Sequence, residues 1–459
     1  MYEINFNQKG HIYFTGIGGI SMSGLARILL SKGFTVSGSD AKESALTRQL
    51  ASLGANIRYE QVASNINGNV DVLVYTAAVQ QDNPELVAAK ELGIPTLTRA
   101  EFLGQIMKNF NTAIGVSGTH GKTTTTSMIS QILLQADTDP TILVGGIMKA
   151  IDGNIRVGRS DLMITEACEY TNSFLSFFPT VGIILNVCAD HMDFFKDLNE
   201  IRESFKNYAK LLPDNGILVI NGEIDNIDYF TEDLKCKVVT FGGQEDCNYS
   251  FKGLTYNNFA CGEFDLVING NVSEHIKLKV PGLHNVLNAM AAIATCMELD
   301  IPIASIKDGL LKYTGTDRRF QYKGIVNGAT IIDDYAHHPD EITATLETTK
   351  TYPHNDTWCV FQPHTYTRTK AFMKEFAKAL SLADHVVLAP IYAARETDTL
   401  GISSLNLLEE LQNLGSDVYY FDSFDKIQEF LLKNLLHDDL LITMGAGDVV
   451  LIGENLATE

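Results

Sequence analysis

The strongest chemical signal in the sequence is a glycine-rich stretch, Gly118-Thr119-His120-Gly121-Lys122-Thr123. It lies between an apolar strand predicted at 112–116 and a helix predicted at 124–134. Successive backbone N–H groups of such a loop converge on phosphate oxygens at a helix N-terminus, which only small residues permit. We expect Lys122 to neutralise transferring phosphates and the Thr123 hydroxyl to bind Mg²⁺. Val116 replaces the first glycine of the pattern G-x-x-x-x-G-K-S/T, and the alternative is a glycine turn with an exposed lysine.

A second glycine-rich turn, Gly16-Ile17-Gly18-Gly19, follows a strand and opens a helix. Asp40 ends the next predicted strand, as in a dinucleotide-binding fingerprint, but Ser21 stands where that fingerprint has its third glycine. A pyrophosphate of any kind can bind at this helix terminus, and a purely structural tight turn is the alternative.

Carboxylates and an imidazole follow two further strands and are candidates for the metal site that phosphoryl transfer requires. Glu166 and Glu169 end one strand, while Asp190, His191 and Asp193 follow another. Ligands of parallel sheets bind at the carboxyl ends of the strands. We therefore predict Mg²⁺ binding there, although an isolated histidine is more often structural.

Polar residues farther along the chain suggest the rest of a nucleotide site. Asn285 and Asn288 share one face of a predicted helix, where their amides can read an adenine edge or simply be solvated. Arg318 and Arg319 precede Phe320 at a predicted domain boundary. The cluster DDYAHHP at 333–339 is costly to bury without a ligand, so we predict that it belongs to a site.

Composition sets limits on the class of protein. A chain of 459 residues is too long for one core, so two or three domains are expected. The net charge of −21 disfavours nucleic acid as a partner. The seven scattered cysteines indicate neither a disulfide framework nor a zinc site. Since no apolar run approaches the roughly 20 residues that span a bilayer, we expect no membrane insertion and a cytoplasmic protein.

The elements that must position these residues alternate between strands and helices. Strands are predicted at 11–15, 34–37, 70–75, 112–116, 162–165, 181–186, 217–220, 329–333, 358–361, 385–388 and 440–444, and helices at 21–31, 124–134 and 282–298. The stretch 238–280 is rich in Gly, Asn and β-formers, which favours an antiparallel insertion. The pattern predicts an α/β protein of three consecutive α/β domains with mostly parallel sheets.

Together these segments resemble the Mur ligase family over essentially the whole chain. The residues that carry the resemblance are GIGGISMSG at 16–24, GTHGKT at 118–123, NVCADHMD at 186–193, GLHNVLNA at 282–289, DRRF at 317–320, DDYAHHP at 333–339, QPH at 362–364, TRT at 367–369 and MGAGD at 444–448. The resemblance implies an N-terminal Rossmann-like domain for a UDP-sugar (1–107), a central P-loop ATPase (108–320) and a C-terminal Rossmann-like domain for an amino acid (321–459).

The resemblance also implies roles for individual residues. Catalysis is expected of Lys122, Arg319 and His337. ATP is expected to contact Gly118, Thr119, His120, Gly121, Lys122, Thr123, Thr124, His284, Asn285, Asn288, Arg319 and Asp334. The substrate is expected to contact Gly16, Gly18, Gly19, Ser39, Asp40, Tyr335, His337 and Arg368. Mg²⁺ is expected at Thr123, Glu166 and His191. The stretch after Glu166 departs from the family pattern at Cys168 and Tyr170, which puts the role of Glu169 in doubt. Lys206 lies in the region of a carbamylated lysine of some relatives and is not assigned.

The activity that the resemblance implies is ATP-dependent amide-bond formation in peptidoglycan precursor synthesis. The lactyl carboxylate of UDP-N-acetylmuramate would form an acyl phosphate, which L-alanine then attacks. A recycling ligase that joins a preformed tripeptide to the same sugar nucleotide is the alternative within the family. From other classes, an NAD-dependent oxidoreductase built on residues 16–24 and a nucleotide-gated binding module without catalysis stay open.

Overall fold

The computed structural model describes residues 2–76, 78–192, 194–394 and 396–458. Asp193 of the predicted metal group lies outside these residues. Within them, no helix is both long and apolar enough to cross a membrane. Backbone pairing divides the strands into separate sheets, which follow one another along the chain.

The first sheet is parallel throughout and has the strand order β3-β2-β1-β4-β5. Its elements are β1 (His11–Thr15), α1 (Ile20–Ser31), β2 (Thr35–Ser39), α2 (Ala45–Ser52), β3 (Asn56–Arg58), β4 (Val72–Tyr75), α3 (Pro84–Glu91), β5 (Thr96–Thr98) and α4 (Arg99–Met107). The glycine turn at residues 16–19 connects β1 to α1 at the carboxyl edge of the sheet. The order confirms a Rossmann-like N-terminal unit.

The second sheet has the order β15-β14-β13-β12-β11-β10-β6-β9-β7-β8. Its elements are β6 (Thr112–Ser117), α5 (Lys122–Gln135), β7 (Thr141–Met148), β8 (Gly153–Arg156), β9 (Leu162–Glu166), β10 (Val181–Ile184), α6 (Leu198–Ala209), β11 (Ile217–Asn221), α7 (Asp228–Thr231), β12 (Lys237–Phe241), β13 (Tyr249–Tyr256), β14 (Cys261–Ile268), β15 (Asn271–Pro281), α8 (Leu283–Glu298) and α9 (Ile303–Lys312). Strand β6 lies between β9 and β10 and is parallel to both. The loops that follow these strands therefore meet at one edge.

Two features of this sheet differ from the sequence prediction. The antiparallel insertion exists as β13–β15, but β12, which begins it in the sequence, pairs parallel with β11. Strand β10 ends at Ile184, two residues before its predicted end at Asn186. Apolar character alone does not mark the end of a buried strand, because Leu185 is buried as well. Both residues consequently belong to the loop that faces the phosphate-loop candidate.

The third sheet has the order β16-β17-β21-β18-β19-β20, with β16 antiparallel to β17 and the other pairs parallel. Its elements are β16 (Gln321–Val326), β17 (Ala329–Asp334), α10 (Pro339–Thr349), β18 (Thr357–Phe361), α11 (Tyr366–Ala371), α12 (Met373–Leu380), β19 (His385–Leu388), α13 (Ser404–Asn413), β20 (Asp417–Tyr420), α14 (Phe424–Asn434), β21 (Leu440–Met444) and α15 (Val450–Leu456). The three-unit α/β class is thus confirmed, while the limits 107 and 320 stay predictions.

Helix α5 is held in place by close packing on the central sheet and on α9. Its residues Met128, Ile129, Ile132 and Leu133 are fully buried. A Cβ at Gly309 of α9 would lie 2.6 Å from the Cα of Ile132, so the two helices approach backbone to backbone. Each buried aliphatic side chain contributes about 1.5–3 kcal/mol. The N-terminus of α5, where the phosphate-loop candidate ends, is therefore supported by a rigid core.

Candidate active site

The loop between β6 and α5 has the backbone conformation of a phosphate cradle. Gly118 and Gly121 have φ angles of 145° and 84°, and a Cβ at Gly121 would lie 2.5 Å from Oδ1 of Asn288. Glycine is therefore required at Gly121 both by its left-handed conformation and by space. Asn186 fixes the loop from the neighbouring strand end. Its Oδ1 accepts from the N–H of His120 at 2.8 Å, and its Nδ2 donates to the His120 carbonyl at 3.0 Å.

Lys122, the first residue of α5, lies at the mouth of this loop. Its ammonium donates to the carbonyl oxygens of Gly118 and Thr119 at 2.6 and 3.0 Å and to Oε2 of Glu169 at 3.0 Å. Burial lowers the pKa of Lys122, but the negative charge of Glu169 outweighs burial and raises it above its ordinary value. The lysine is therefore a permanent cation beside the cradle. The structure thus gives Glu169, whose role the sequence left in doubt, a defined partner.

Thr123 and Glu166 converge on the same short stretch of β7. Oε1 of Glu166 accepts from the N–H of Gly145 at 2.6 Å, and a Cβ at Gly146 would lie 3.2 Å from Cγ2 of Thr123. A hydroxyl and a carboxylate beside a phosphate cradle are oxygen ligands of the kind that Mg²⁺ prefers. The donor set fits the predicted magnesium site, and the assignment of the ion stays a prediction.

His191 lies on the opposite side of Glu169. Its Nε2 is 3.7 Å from Oε1 of Glu169, and its ring stacks on Tyr170 with centroids 4.6 Å apart. Burial lowers the pKa of His191, which keeps the imidazole neutral and available as a ligand. Next to it, Asp190 pairs with Arg368 at 3.1 Å across the boundary to the third unit. Burial raises the pKa of Asp190, but Arg368 and the neighbouring histidines outweigh burial and hold the carboxyl ionised.

A cavity of about 330 Å³ opens beside the phosphate loop, between the central and third units. The sequence-predicted residues on its wall are His120, Gly121, Thr124, His284, Asn285, Asn288, Arg319 and Asp334. Burial lowers the pKa of His284 to about 4, so its ring is neutral. Asn288 links the cavity to the loop, since its Oδ1 accepts from Thr125 at 3.2 Å. The volume of the cavity is in the range of small-molecule sites. Contact of these residues with adenine stays a prediction.

We call this space of about 330 Å³ the nucleotide cavity, after its predicted occupant. Several of its wall residues were not predicted individually. They are Leu185, Asn186, Cys188, Asn221, Phe241, Leu287, Phe320, Asp340, Glu341, Ala344 and Thr345. Asn186 had a sequence signal, because it opens the segment at 186–193 that supports the family resemblance. Apolar residues such as Phe241 have none, since a strand-end phenylalanine looks the same in a core.

The two consecutive arginines have different partners. The Arg318 guanidinium donates to Oδ2 of Asp333 at 3.1 Å and to the carbonyl oxygens of Gly447 and Gly445 at 3.0 and 2.7 Å. Arg319 instead lines the nucleotide cavity. Both guanidinium groups lie over the ring of Tyr335, at 4.9 and 5.3 Å from its centroid. Tyr335 therefore stacks under the arginine pair, and its predicted substrate contact stays a prediction.

The buried aspartates of the cluster at 333–339 have hydrogen-bond partners within the protein, whereas the sequence suggested that they need a ligand. Asp333 is satisfied by Arg318 and Thr443, and Asp334 accepts the backbone N–H groups of Phe320 and Ala336 at 2.8 Å each. The aspartates are thus bonded within the protein, and their burial does not require a ligand. Asp334 still lines the nucleotide cavity, and burial raises its pKa to about 6.

A second cavity, of about 390 Å³, lies on the His191 side of Glu169. Its wall includes Tyr170, Asp190, His191, His337, His364 and Arg368. Burial lowers the pKa of His337 to about 4, so the ring is neutral. Its Nδ1 lies 2.9 Å from the carbonyl oxygen of Tyr335 and therefore carries the proton, which leaves a lone pair on Nε2. The structure thus brings His337, Arg368 and His191 together in one substrate-sized space.

The glycine turn of the first unit is held by Ser39 and Asp40. The Ser39 carbonyl accepts from Gly16 and Ile17 at 2.8 and 2.9 Å, and Oδ2 of Asp40 accepts from the N–H of Gly18 at 2.7 Å. Ser39 is fully buried as a whole residue, backbone included, and its hydroxyl donates to Glu85. Gly19 caps α1 without a side chain. Substrate binding by this turn stays a prediction.

Lys206 has partners of its own. Its ammonium lies 3.5 Å from Glu232 and 3.6 Å from Asp233, and 4.5 Å from the ring centroid of Tyr229. These contacts account for the lysine as a charged, helix-packing residue. They give no reason to assign it to a metal site.

Comparison with known proteins assigns the chain and its fold to one family. Models of the Mur ligase family match consecutive parts of the chain: the catalytic domain at 11–111, the middle domain at 116–296 and the glutamate ligase domain at 318–447. The chain therefore belongs to the Mur ligase family. Ligases of this family depend on ATP.

Individual relatives narrow the comparison. A UDP-N-acetylmuramate–L-alanine ligase from Lachnospira eligens is 58% identical over 99% of this chain and 100% of the relative. One of the same description from Agathobacter rectalis is 56% identical over 99% of each. Among solved structures, the UDP-N-acetylmuramate–alanine ligase of Thermotoga maritima aligns with a TM-score of 0.78 at 30% identity over 98% of both chains. A murein peptide ligase from Psychrobacter arcticus gives 0.68 at 23% identity over 98% of both, which shows the shared fold.

Proposed function

We propose that this protein is an ATP-dependent ligase that joins the lactyl carboxylate of UDP-N-acetylmuramate to L-alanine through an acyl phosphate, in peptidoglycan precursor synthesis. One observation carries the proposal. The chain of contacts Lys122–Glu169–His191 runs from the phosphate loop, whose residues Gly121 and Thr124 line the nucleotide cavity, to His191 on the wall of the second cavity. A phosphate held by Lys122 therefore lies next to the space that would receive a carboxylate and an amine. The names of relatives at 56–58% identity support this choice of substrates.

The chemistry requires activation first, because a carboxylate is a poor electrophile. Lys122 and Arg319 would bind the phosphates of ATP and stabilise charge as it moves, so that catalysis rests on positioning and electrostatics. Thr123, Glu166 and His191 would hold Mg²⁺, which supplies neutralisation of the triphosphate when bound. The backbone N–H groups of residues 121–123, at the N-terminus of α5, would bind phosphate oxygens, because those of Thr119 and His120 already donate to Asn186.

The amine side would be organised by the second cavity. The Nε2 lone pair of His337 would accept a hydrogen bond from the uncharged amine of L-alanine. This bond would orient the amine so that the lone pair on the amine nitrogen faces the acyl carbon. Arg368, fixed by Asp190 at 3.1 Å, would bind a carboxylate. Residues that bring the third unit over the central one would exclude water from the acyl phosphate.

The uridine nucleotide would bind at the first unit. The turn Gly16-Ile17-Gly18-Gly19 precedes α1, so that pyrophosphate would rest on the helix N-terminus, as in other sheets of this topology. Asp40 occupies the N–H of Gly18 and would have to share or release it.

The decisive experiment measures ATP-dependent phosphate release with UDP-N-acetylmuramate while the amine is varied. We expect stimulation by L-alanine and none by the tripeptide of the recycling reaction. Stimulation by the tripeptide alone would replace the proposal with the recycling ligase. A change in nicotinamide absorbance would favour an oxidoreductase, and nucleotide binding without phosphate release under any condition would favour a binding module.

A further inference from the structure

Two histidines and an aspartate meet where the phosphate loop touches the first turn of α10. The candidate ligand atoms of His120, His338 and Asp340 all lie within 4.8 Å of one another. Nε2 of His120 is 4.0 Å, and Nδ1 of His338 is 3.7 Å, from Oδ2 of Asp340. The two imidazole rings lie face to face at a tilt, with centroids 4.8 Å apart. Three potential metal ligands therefore surround one point.

Each ligand is oriented by a partner behind it. Nδ1 of His120 bonds to Oε1 of Glu341 at 3.1 Å, and Nε2 of His338 bonds to the carbonyl oxygen of Ala189 at 2.9 Å. Histidines that bind metals almost always donate their other ring N–H to a carboxylate or a carbonyl, which directs the remaining lone pair at the ion.

His120 gives an independent reason to look for an occupant. Its Nε2 is buried and, within the described part of the chain, has no hydrogen-bond partner. A buried polar atom without a partner costs about 1–3 kcal/mol. A metal ion at this point would satisfy it. The Nδ1 of His338 is already engaged, but only by a long bond of 3.3 Å from the N–H of Asp340.

We propose that His120, His338 and Asp340 bind a divalent transition-metal ion such as Zn²⁺. Two imidazole nitrogens and one carboxylate oxygen suit zinc and its neighbours, whereas Mg²⁺ prefers oxygen ligands. Ligands of a tetrahedral zinc ion at about 2.0–2.1 Å lie about 3.3 Å from one another. The present spacing of up to 4.8 Å must shrink by at most about 1.5 Å. Asp340, whose side chain is 61% exposed, can shorten its own distances of 4.0 and 3.7 Å, while the remaining gap between the two imidazole nitrogens must be closed by movement of the histidine rings.

The location gives the ion a regulatory consequence. His120 belongs to the phosphate loop of the central unit, while His338 and Asp340 belong to the loop and helix that follow β17 in the third unit. One ion would therefore tie the two units together beside the nucleotide cavity. Because catalysis of this kind depends on domains that open and close, a bound transition metal would restrain turnover. Metal binding concerns only these residues and does not depend on the proposed substrates, whereas the effect on turnover rests on the proposed function.

The test titrates Zn²⁺ into the full-length protein, without nucleotide and in the presence of a chromophoric chelator, and repeats the titration with Co²⁺ while its visible absorption is recorded. We expect one equivalent to bind, a Co²⁺ spectrum of tetrahedral type, and a rise in Tm with Zn²⁺. Asp340→Asn and His338→Gln should each weaken binding at least 10-fold, because even the partners behind metal ligands are worth 10–100-fold.

The matched control removes a carboxylate from a surface histidine pair. Asp265 bonds to His275 at 2.8 Å, and both side chains are about half exposed. Asp265→Asn should leave the bound equivalent unchanged. Circular dichroism checks that each variant is folded. If His338→Gln does not fold, the binding measured for Asp340→Asn decides the test. Absence of a bound equivalent in the wild type, or equal binding by Asp340→Asn, overturns the site. Neither result bears on phosphate release with L-alanine, which tests the proposed function separately.

Discussion

The ammonium of Lys122 lies 3.0 Å from Oε2 of Glu169, a carboxylate that is only 2% exposed. The lysine of the phosphate loop is therefore already paired, and ATP bound as proposed would have to draw it away from Glu169 or share it. Withdrawing the cation from so buried a carboxylate costs free energy, so a ligand with several phosphate oxygens is suited to compete for the ammonium.

The pair makes a prediction that separates activity from stability. Lys122→Met should lower turnover by orders of magnitude and also destabilise the fold by about 3 kcal/mol, because Glu169 is left buried without its cation. Glu169→Gln added to Lys122→Met should restore most of the stability and none of the activity. Chemical denaturation and phosphate release measure the two quantities. Near-normal ligation by Lys122→Met would remove the basis of the proposed function.

Gly121 provides a test of the phosphate cradle itself. Gly121→Ala places a Cβ 2.5 Å from Oδ1 of Asn288 at a φ of 84°, so we expect ATP binding to fall at least 10-fold. The matched control is Gly93→Ala, which has a φ of 69° and no neighbour within 4 Å among the described residues. It should show only the backbone strain of about 1 kcal/mol. Equal effects of the two substitutions on the ATP Kd would contradict the steric explanation.

Asn186 is expected to position the loop rather than to touch the reacting atoms. Asn186→Ala removes both hydrogen bonds to the His120 backbone and should weaken ATP binding about 10-fold, since each bond contributes about 1 kcal/mol. Asn186→Asp keeps the acceptor for the N–H and loses the donor, so its Kd for ATP should lie between those of the alanine variant and the wild type. Calorimetry gives both values. An aspartate variant weaker than alanine would point to charge repulsion of the nucleotide instead.

The depressed histidines predict how stability depends on pH. Burial lowers the pKa of His337 from 6.5 to about 4 and that of His284 likewise. The unfolded chain therefore binds more protons between pH 6.5 and 4, and the folded state loses stability as pH falls through that window. Each full shift is worth roughly 3 kcal/mol. His337→Asn should flatten the decline between pH 7 and 4.5 by about 2 kcal/mol.

A control for this measurement comes from an exposed histidine. His437→Asn, at a histidine whose side chain is 78% exposed, controls for the loss of one histidine from the chain. Asp334 acts in the opposite direction, because its raised pKa of about 6 makes protonation favourable in the fold. Comparing His337→Asn with the wild type cancels that contribution. An unchanged slope in His337→Asn would show that the ring is accessible to protons in the folded state.

Glu85 is expected to be the main polar support of the first unit. Its carboxylate is fully buried and accepts hydrogen bonds at 2.7–2.8 Å from Tyr13, Thr15, Ser39 and Asn65. Glu85→Gln replaces one accepting oxygen by an NH2 group, which then faces hydrogen-bond donors. We expect the free energy of unfolding to fall by about 2 kcal/mol. Glu43→Gln, which breaks an exposed pair with Arg48, should cost less than about 0.5 kcal/mol. Equal changes in Tm would show that the buried network is dispensable.

Sequence reasoning was most effective where one local pattern determines the structure. The loop at 118–123 and the strands β1, β6, β9, β17 and β21 follow from glycine placement and apolar runs. It was least effective where the answer depends on sheet order. Because β6 lies between β9 and β10, Lys122, Glu169, Asn186 and His191 meet at one edge, although up to 69 positions separate them in the chain. No local pattern records that neighbourhood.

The same limit explains why the sequence suggests that the cluster at 333–339 needs a ligand, although its aspartates are satisfied within the protein. The polar density of that turn is visible in the sequence, but its partners Phe320 and Thr443 are distant or apolar in character. The hydrogen bonds that satisfy the aspartates come from a backbone N–H and from a threonine hydroxyl. Neither donor is part of a recognisable sequence motif. Short strands such as β3 and β5 were also missed, because three residues carry too little periodicity to detect.

Arg318 and Arg319 are adjacent, yet one is anchored and the other faces the nucleotide cavity. Arg318 is hydrogen-bonded to a carboxylate and two carbonyl groups of the third unit. Any rotation of that unit therefore carries the adjacent Arg319 with it. The enzyme would consequently hold ATP most tightly at one interdomain angle. Compounds that wedge the units apart would then expel nucleotide from a distance and inhibit without resembling any substrate.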